Sequence, residues 1–127
     1  MRNITSSLAA IQSAHPATKV LWVDTTPVPT VPTYGPGCND TKTCLNPPRF
    51  ESDVILYNKA AAVVVAAANA AGATIKTADM FTFVLDKCGG AGYSNCTGFQ
   101  LPMNVHFTPA GWSALAAQFV NTYLLKL

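Results

Sequence analysis

KVLWVD, residues 19–24, decides the fold. Val20, Leu21, Trp22 and Val23 form an unbroken apolar run between a lysine and an aspartate. Such a run, without polar alternation, reads as a strand buried on both faces, as in a parallel sheet. Upstream, ITSSLAAIQSA (4–14) puts Ile4, Leu8 and Ile11 on one face and predicts a short amphipathic helix. His15-Pro16 ends that helix, because a residue before proline avoids the helical region. His15 itself reads as a solvated turn residue.

Downstream, residues 26–52 carry six prolines, two glycines and the first cysteine pair, with no periodic segment. A loop of that length is either functional, as a lid is, or a surface excursion. Ser52 is expected to cap the next helix, with Asp53 in its first turn and Gly72 as its stop. Beyond Lys59 that helix has no charge up to Gly72, so it is expected to be covered on more than one side. Ala60 to Ala71 is too short and too alanine-rich to span a membrane. ATIKTA (73–78) predicts a second strand. Asp79-Met80-Phe81 then leads into a glycine-rich segment holding Cys88 and Cys96.

A last helix is expected within 107–126, opening with Thr108 and Pro109. Its Trp112, Leu115, Phe119, Tyr123 and Leu127 recur at helical spacing and are assigned to the core. Strands that alternate with helices imply an α/β fold with parallel pairing and right-handed crossovers. Two parallel strands alone leave open edges. The chain therefore reads as the C-terminal part of a larger sheet, its N-terminal strands lying outside.

Composition narrows the function classes. The 127 residues suit one domain, 1–127, able to bury about two thirds of its surface. Half the residues are hydrophobic and 11% are charged, which excludes disorder. A net charge of +2 without a basic patch argues against nucleic acid. The spacings of Cys38, Cys44, Cys88 and Cys96 do not match zinc knuckles, so no metal or cofactor is expected. Disulfides 38–44 and 88–96 are the simplest of three connectivities. Sequons stand at Asn3, Asn39 and Asn95, two of them inside those cysteine loops. Cysteines and sequons together imply a secreted, oxidised protein. MRNITSSLAAIQSAHP has no apolar core of signal-peptide length, so a preceding segment is expected.

The chemistry-bearing stretch is LPMNVHFTPAGW (101–112). A neutral imidazole at His106, just ahead of a helix, can serve as a general base. Asp24 and Asp79 end the two strands, at the carboxyl edge where α/β sites lie. Either could supply a carboxylate, though capping the next turn is the simpler role. Asn104 reads as a turn residue able to orient a neighbour. Tyr34, Phe50 and Phe81 are candidates for a substrate groove or for plain packing.

VLWVDTTPVPT, the long loop, the helix ending at Gly72, the strand ending near Asp79 and NVHFTPAGW together resemble the C-terminal half of SGNH hydrolases, the GDSL esterases and lipases. The likeness runs from about Ile4 to Leu127. It implies a three-layer α/β/α sandwich on a parallel, flavodoxin-like sheet and the deacylation of esters, often on polysaccharides. The family's last block, Asp-x-x-His, falls on Met103-Asn104-Val105-His106. The histidine carries over, and methionine occupies the aspartate position. No Gly-Asp-Ser occurs in the chain. The resemblance thus implies that His106 serves a serine from an N-terminal half, the expected partner, or that the chain is a non-catalytic subunit docking on a neighbour. Gly111 matches a family glycine with an expected role in close helix packing.

Overall fold

The computed structural model describes residues 2–30, 49–102 and 104–127, apart from the side chains of residues 2–5 and 12. Helix α1 spans Arg2–Ala14, strand β1 Val20–Val23, helix α2 Glu51–Ala70, strand β2 Ile75–Ala78, helix α3 Met80–Cys88 and helix α4 Pro109–Gln118. Phe119–Tyr123 then widens into a π-helical turn, and Leu124–Lys126 closes with a 3-10 turn. The body mixes helices with a two-stranded parallel sheet, in which Val20 pairs with Ile75 and Val23 with Ala78. The Cys38–Cys44 loop, Asn39, Tyr34, Met103 and the side chains of Asn3 and Ile4 lie outside the described residues.

The helices end where the chain chemistry says they should. Ala71 caps α2, and Gly72 follows at φ 100°. Gly72 N–H donates to Asn69 O and Ala73 N–H to Ala68 O, the paired bonds of a Schellman stop. Thr108 starts α4: its Oγ1 accepts from Gly111 N–H at 3.0 Å, and Pro109 follows in the first turn. Gly111 touches its neighbour more closely than any side chain allows. A Cβ there would stand 2.1 Å from the carbonyl oxygen of Phe99.

Two cores form on β1 and β2. Leu8, Val64, Val65 and Ile75 gather one of them, with Val20 and Trp22 against it. Ala78, Met80, Val84, Phe107 and Leu115 form the other, with Leu21 against it. Val20 and Trp22 therefore face one way and Leu21 the other, as a strand's period of two requires. Two asparagines of α2 fasten this helix to the strands. Asn58 holds both the N–H and the C=O of Thr25, at 2.9 Å each. Asn69 does the same for Ile75, at 2.8 and 2.9 Å. At the opposite margin, Lys19 and Lys76 donate to the backbone oxygens of Leu127 and Lys126.

Several expectations need correction. β1 is half-buried, with Val23 exposed, because the sheet described has only two strands and each keeps a free edge. α2 begins one residue before Ser52. Phe50, extended, takes the capping position, and its carbonyl accepts from Asp53 and Val54. Glu51 and Asp53 favour that end through the helix dipole. The outer face of α2 is open, not covered: Leu56 is 62% and Val63 67% exposed. Its 20 residues are also long and apolar enough, by length and composition, to cross a bilayer. The clasps of Asn58 and Asn69 nonetheless bind it along the strands.

The glycine-rich segment after Asp79 contains an unexpected helix, α3. Asp79 Oδ1 caps it by accepting from Thr82 N–H, and Gly89 ends it at φ 90°. The last helix starts at Pro109, two residues after the expected 107, and runs to Lys126, α-helical to Gln118 and then through the π-helical and 3-10 turns. Leu115 is core and Phe119 and Tyr123 pack against it, but Trp112 is 56% exposed. Trp112 lies in the first turn of α4, its ring edge-to-face with Phe107. Ile11 is exposed also, and Leu8 is the buried residue among the described side chains of α1.

Replacing Gly111 by alanine should destabilise the protein by about 1–3 kcal/mol or more, because Phe99 is backbone and cannot yield. Asn69→Ala should cost about 1–3 kcal/mol by stranding two half-buried backbone groups. Asn58→Ala, at a more exposed clasp, should cost less. Urea denaturation of the three variants checks this order.

Candidate functional site

Three chain segments meet in an open cleft of about 550 Å³. The first is the stretch after β1, giving Thr25, Thr26 and Val28. The second is the start of α2, giving Arg49, Phe50, Asp53, Val54 and Tyr57. The third is the loop before α4, giving Val105, His106 and Phe107, with Trp112 from α4 itself. Most of the lining is apolar, and its polar contributors are two threonines, Arg49, Asp53 and His106. Such a balance suits a small organic ligand held by a few placed polar groups.

A buried polar knot joins the segments. Gln100, 1% exposed, takes a 2.7 Å hydrogen bond from the hydroxyl of Tyr93. The same hydroxyl lies 3.1 Å from the carbonyl of Pro27, to which Gln100 Nε2 also donates at 3.4 Å. Burial drives the Tyr93 pKa well above the ordinary tyrosine value, so its hydroxyl keeps the proton that the knot requires. Next to it, Thr30 N–H donates to Tyr93 O, and Gly92 N–H donates to the Glu51 carboxylate. Gln100 pairs in turn with Phe107 in an isolated antiparallel bridge. All three walls are thereby tied to the turn between Cys88 and Gln100, which the Cys88–Cys96 disulfide closes.

His106 sits on the rim of this cleft and is exposed. Its backbone is fixed twice: its N–H donates to Asn104 Oδ1 at 3.0 Å, and its carbonyl accepts from Leu101. Asn104 is buried and forms an Asx turn, so it orients the main chain of His106 and not the ring. Among the described residues, no hydrogen bond or ion pair engages the imidazole. Phe107 behind it is packed edge-to-face between Phe99 and Trp112, with centroids 5.6 and 5.4 Å apart.

The two strand-end aspartates stand apart from the cleft lining. Asp79 caps α3, the simpler of its two expected roles. Asp24 follows β1, and its main-chain N–H donates to Ala78 O. Burial, then the nearby Asp79 carboxylate, hold its pKa above the ordinary 3.8, while Trp22 pulls it back more weakly. Among the described residues, the indole nitrogen of Trp22 is buried without a hydrogen-bond partner. Instead of Asp24 or Asp79, the carboxylate lining the cleft with His106 is Asp53.

Of the aromatic candidates, Phe50 lines the cleft, Phe81 does not, and Tyr34 lies outside the described residues. Arg49, Tyr57 and Trp112 are cleft residues that the sequence reading missed as such. Tyr57 is on the helix of Asp53 one turn on, a spacing that puts both on one face. Asn95 is exposed within the disulfide-closed turn. Among the described residues, no group of three metal-binding side chains occurs. No family model, curated protein or solved structure matches the chain.

Asp24 gives a pH signature. A carboxyl whose pKa is raised in the fold favours folding fully below about pH 3.8, and that contribution is lost as pH rises through the raised value. At neutral pH its charge is a load on the fold. Asp24→Asn should therefore melt at or above the parent temperature at neutral pH. The gain should shrink on acidification below the ordinary aspartate value, as thermal unfolding across pH would show.

Proposed function

We propose that this chain is the C-terminal part of a secreted carboxylic-ester hydrolase of the SGNH type. The single observation that carries the reading is the position of His106 on the rim of a cleft that three chain segments build together. Helices against both faces of a parallel pair are consistent with part of a three-layer α/β/α sandwich. The disulfide supports an oxidising location.

In this reading a serine from outside the chain attacks the ester carbonyl, and His106 takes its proton. The protonated ring then returns that proton to the leaving alcohol, and water releases the acid from the acyl-enzyme. Asn104 and Leu101 hold the histidine's main chain, while the imidazole keeps freedom to meet the serine. Phe50, Tyr57 and Trp112 offer apolar surface to the alcohol or sugar portion of the ester. Arg49 and Asp53 are the charged groups that set its orientation. The mechanism uses no metal or cofactor.

A second reading has its own observation. Leu56 and Val63 present an apolar strip on α2, which suits a non-catalytic subunit that packs on a neighbour. Light scattering at micromolar concentration separates the two, since that subunit would associate.

The 127-residue chain alone should not hydrolyse an aryl acetate. Joined to a half that carries a Gly-Asp-Ser serine, it should do so. His106→Ala in the joined protein should then lower kcat by about 10²–10⁴-fold. Inactivity of the joined and folded protein would remove the catalytic reading.

A further inference from the structure

Asn95-Cys96-Thr97 holds a glycosylation acceptor and one end of a disulfide within three residues. Asn95 and Thr97 are exposed, whereas the Cys96 between them is 7% exposed and bonded to Cys88. The carbonyl of Cys96 also accepts from Phe99 N–H at 3.0 Å and Gln100 N–H at 2.9 Å. Two residues before Asn95, Tyr93 is locked into its buried knot with Pro27 and Gln100. The folded turn thus displays the Asn95 side chain with room for a glycan, while its backbone is pinned on both sides.

Those two properties act at different times. A glycan already on Asn95 meets only solvent. Adding it requires an enzyme to grip three consecutive residues, with the asparagine amide and the threonine hydroxyl turned into its own active site. A segment anchored by a covalent bond and two backbone hydrogen bonds cannot leave the surface for that. We propose that Asn95 is a glycosylation site open only before Cys88 and Cys96 join. Its occupancy is then decided by a race between two reactions on the newly made chain.

In the first reaction Asn95 Nδ2 displaces pyrophosphate from C1 of a lipid-pyrophosphate-linked oligosaccharide. The nitrogen–C1 bond forms, the amide loses one proton, and the lipid pyrophosphate leaves. In the second, the Cys88 and Cys96 thiols give two protons and two electrons to the disulfide of an oxidoreductase, which departs as a dithiol. The cysteines are 8 residues apart, so little chain entropy opposes closure. Synthesis adds about 5–20 residues per second and disulfide formation takes seconds or more, so the two windows overlap. The Asn3-Ile4-Thr5 sequon contains no cysteine and has no such competitor.

The test is independent of the esterase reading. The full chain is directed into the secretory pathway of cultured cells behind a cleavable leader, and peptide mass spectrometry reads occupancy at Asn95 and Asn3. The parent should be partly occupied at Asn95. Cys88→Ser, which leaves the sequon intact, should raise that fraction by about twofold or more. Brief dithiothreitol treatment of the parent during synthesis should do the same, with no substitution to disturb folding. Thr97→Ala should abolish occupancy at Asn95 and leave Asn3 unchanged. Equal occupancy at Asn95 with and without the disulfide, at any level including zero, would overturn the proposal.

Discussion

The cleft depends on one buried arrangement: Gln100, Tyr93 and the carbonyl of Pro27 sharing hydrogen bonds out of reach of water. Polar groups in that setting are costly when unpaired and strong when satisfied, so the three segments hold together or separate together. Pro27 leads the stretch after β1, Tyr93 sits in the disulfide turn, and Gln100 bridges to the strand-like residue before α4. The two prolines flanking Val28 are buried, which pre-sets this stretch in the extended form the knot needs.

The disulfide and the knot act on the same turn by different means. Cys88–Cys96 limits the conformations of the chain before folding, and the knot selects one of them afterwards. The consequence falls on His106. Its loop is attached to the turn through Phe99, Gln100 and Thr108, the last of which donates to Gly98 and Phe99 carbonyls. The exposed ring is thus carried by a rigid backbone, an economical way to keep a side chain free to react while fixing where it starts.

Much of the architecture was legible in the residues. KVLWVD and ATIKTA stood out because a strand's apolar run is local, and Gly72 and Thr108 announced helix ends by their own chemistry. α3 was not legible. FTFVLDKC is rich in aromatic and β-branched residues, and only Asp79 and Gly89 at its margins reveal a helix. The cleft was half legible: His106 and Phe50 were in view, while Arg49, Asp53, Tyr57 and Trp112 acquire their role only when distant segments meet. Helical spacing assigned Trp112 to the core with Leu115, but the residue is 56% exposed. Spacing alone could not say that the core stops one turn short of it. Gln100 looked like an ordinary polar residue, because burial of a polar side chain is decided by partners far away in sequence.

The paired asparagines of α2 have a metric meaning. Asn58 and Asn69 are eleven residues apart on one helix face, about 16 Å along its axis. Of their targets, Ile75 is level with Val20, and Thr25 lies five residues beyond Val20, two residues past the end of β1. Five residues at the rise of a strand also span about 16 Å. The helix is therefore a ruler cut to the strand, with a mark at each end. One residue inserted between the marks would lengthen the helix by about 1.5 Å and turn one amide away from its target, whereas one added to the strand would shift it by about 3.3 Å. Evolution can repaint the outer face of α2 freely, but it cannot change the length of that interval on one side alone.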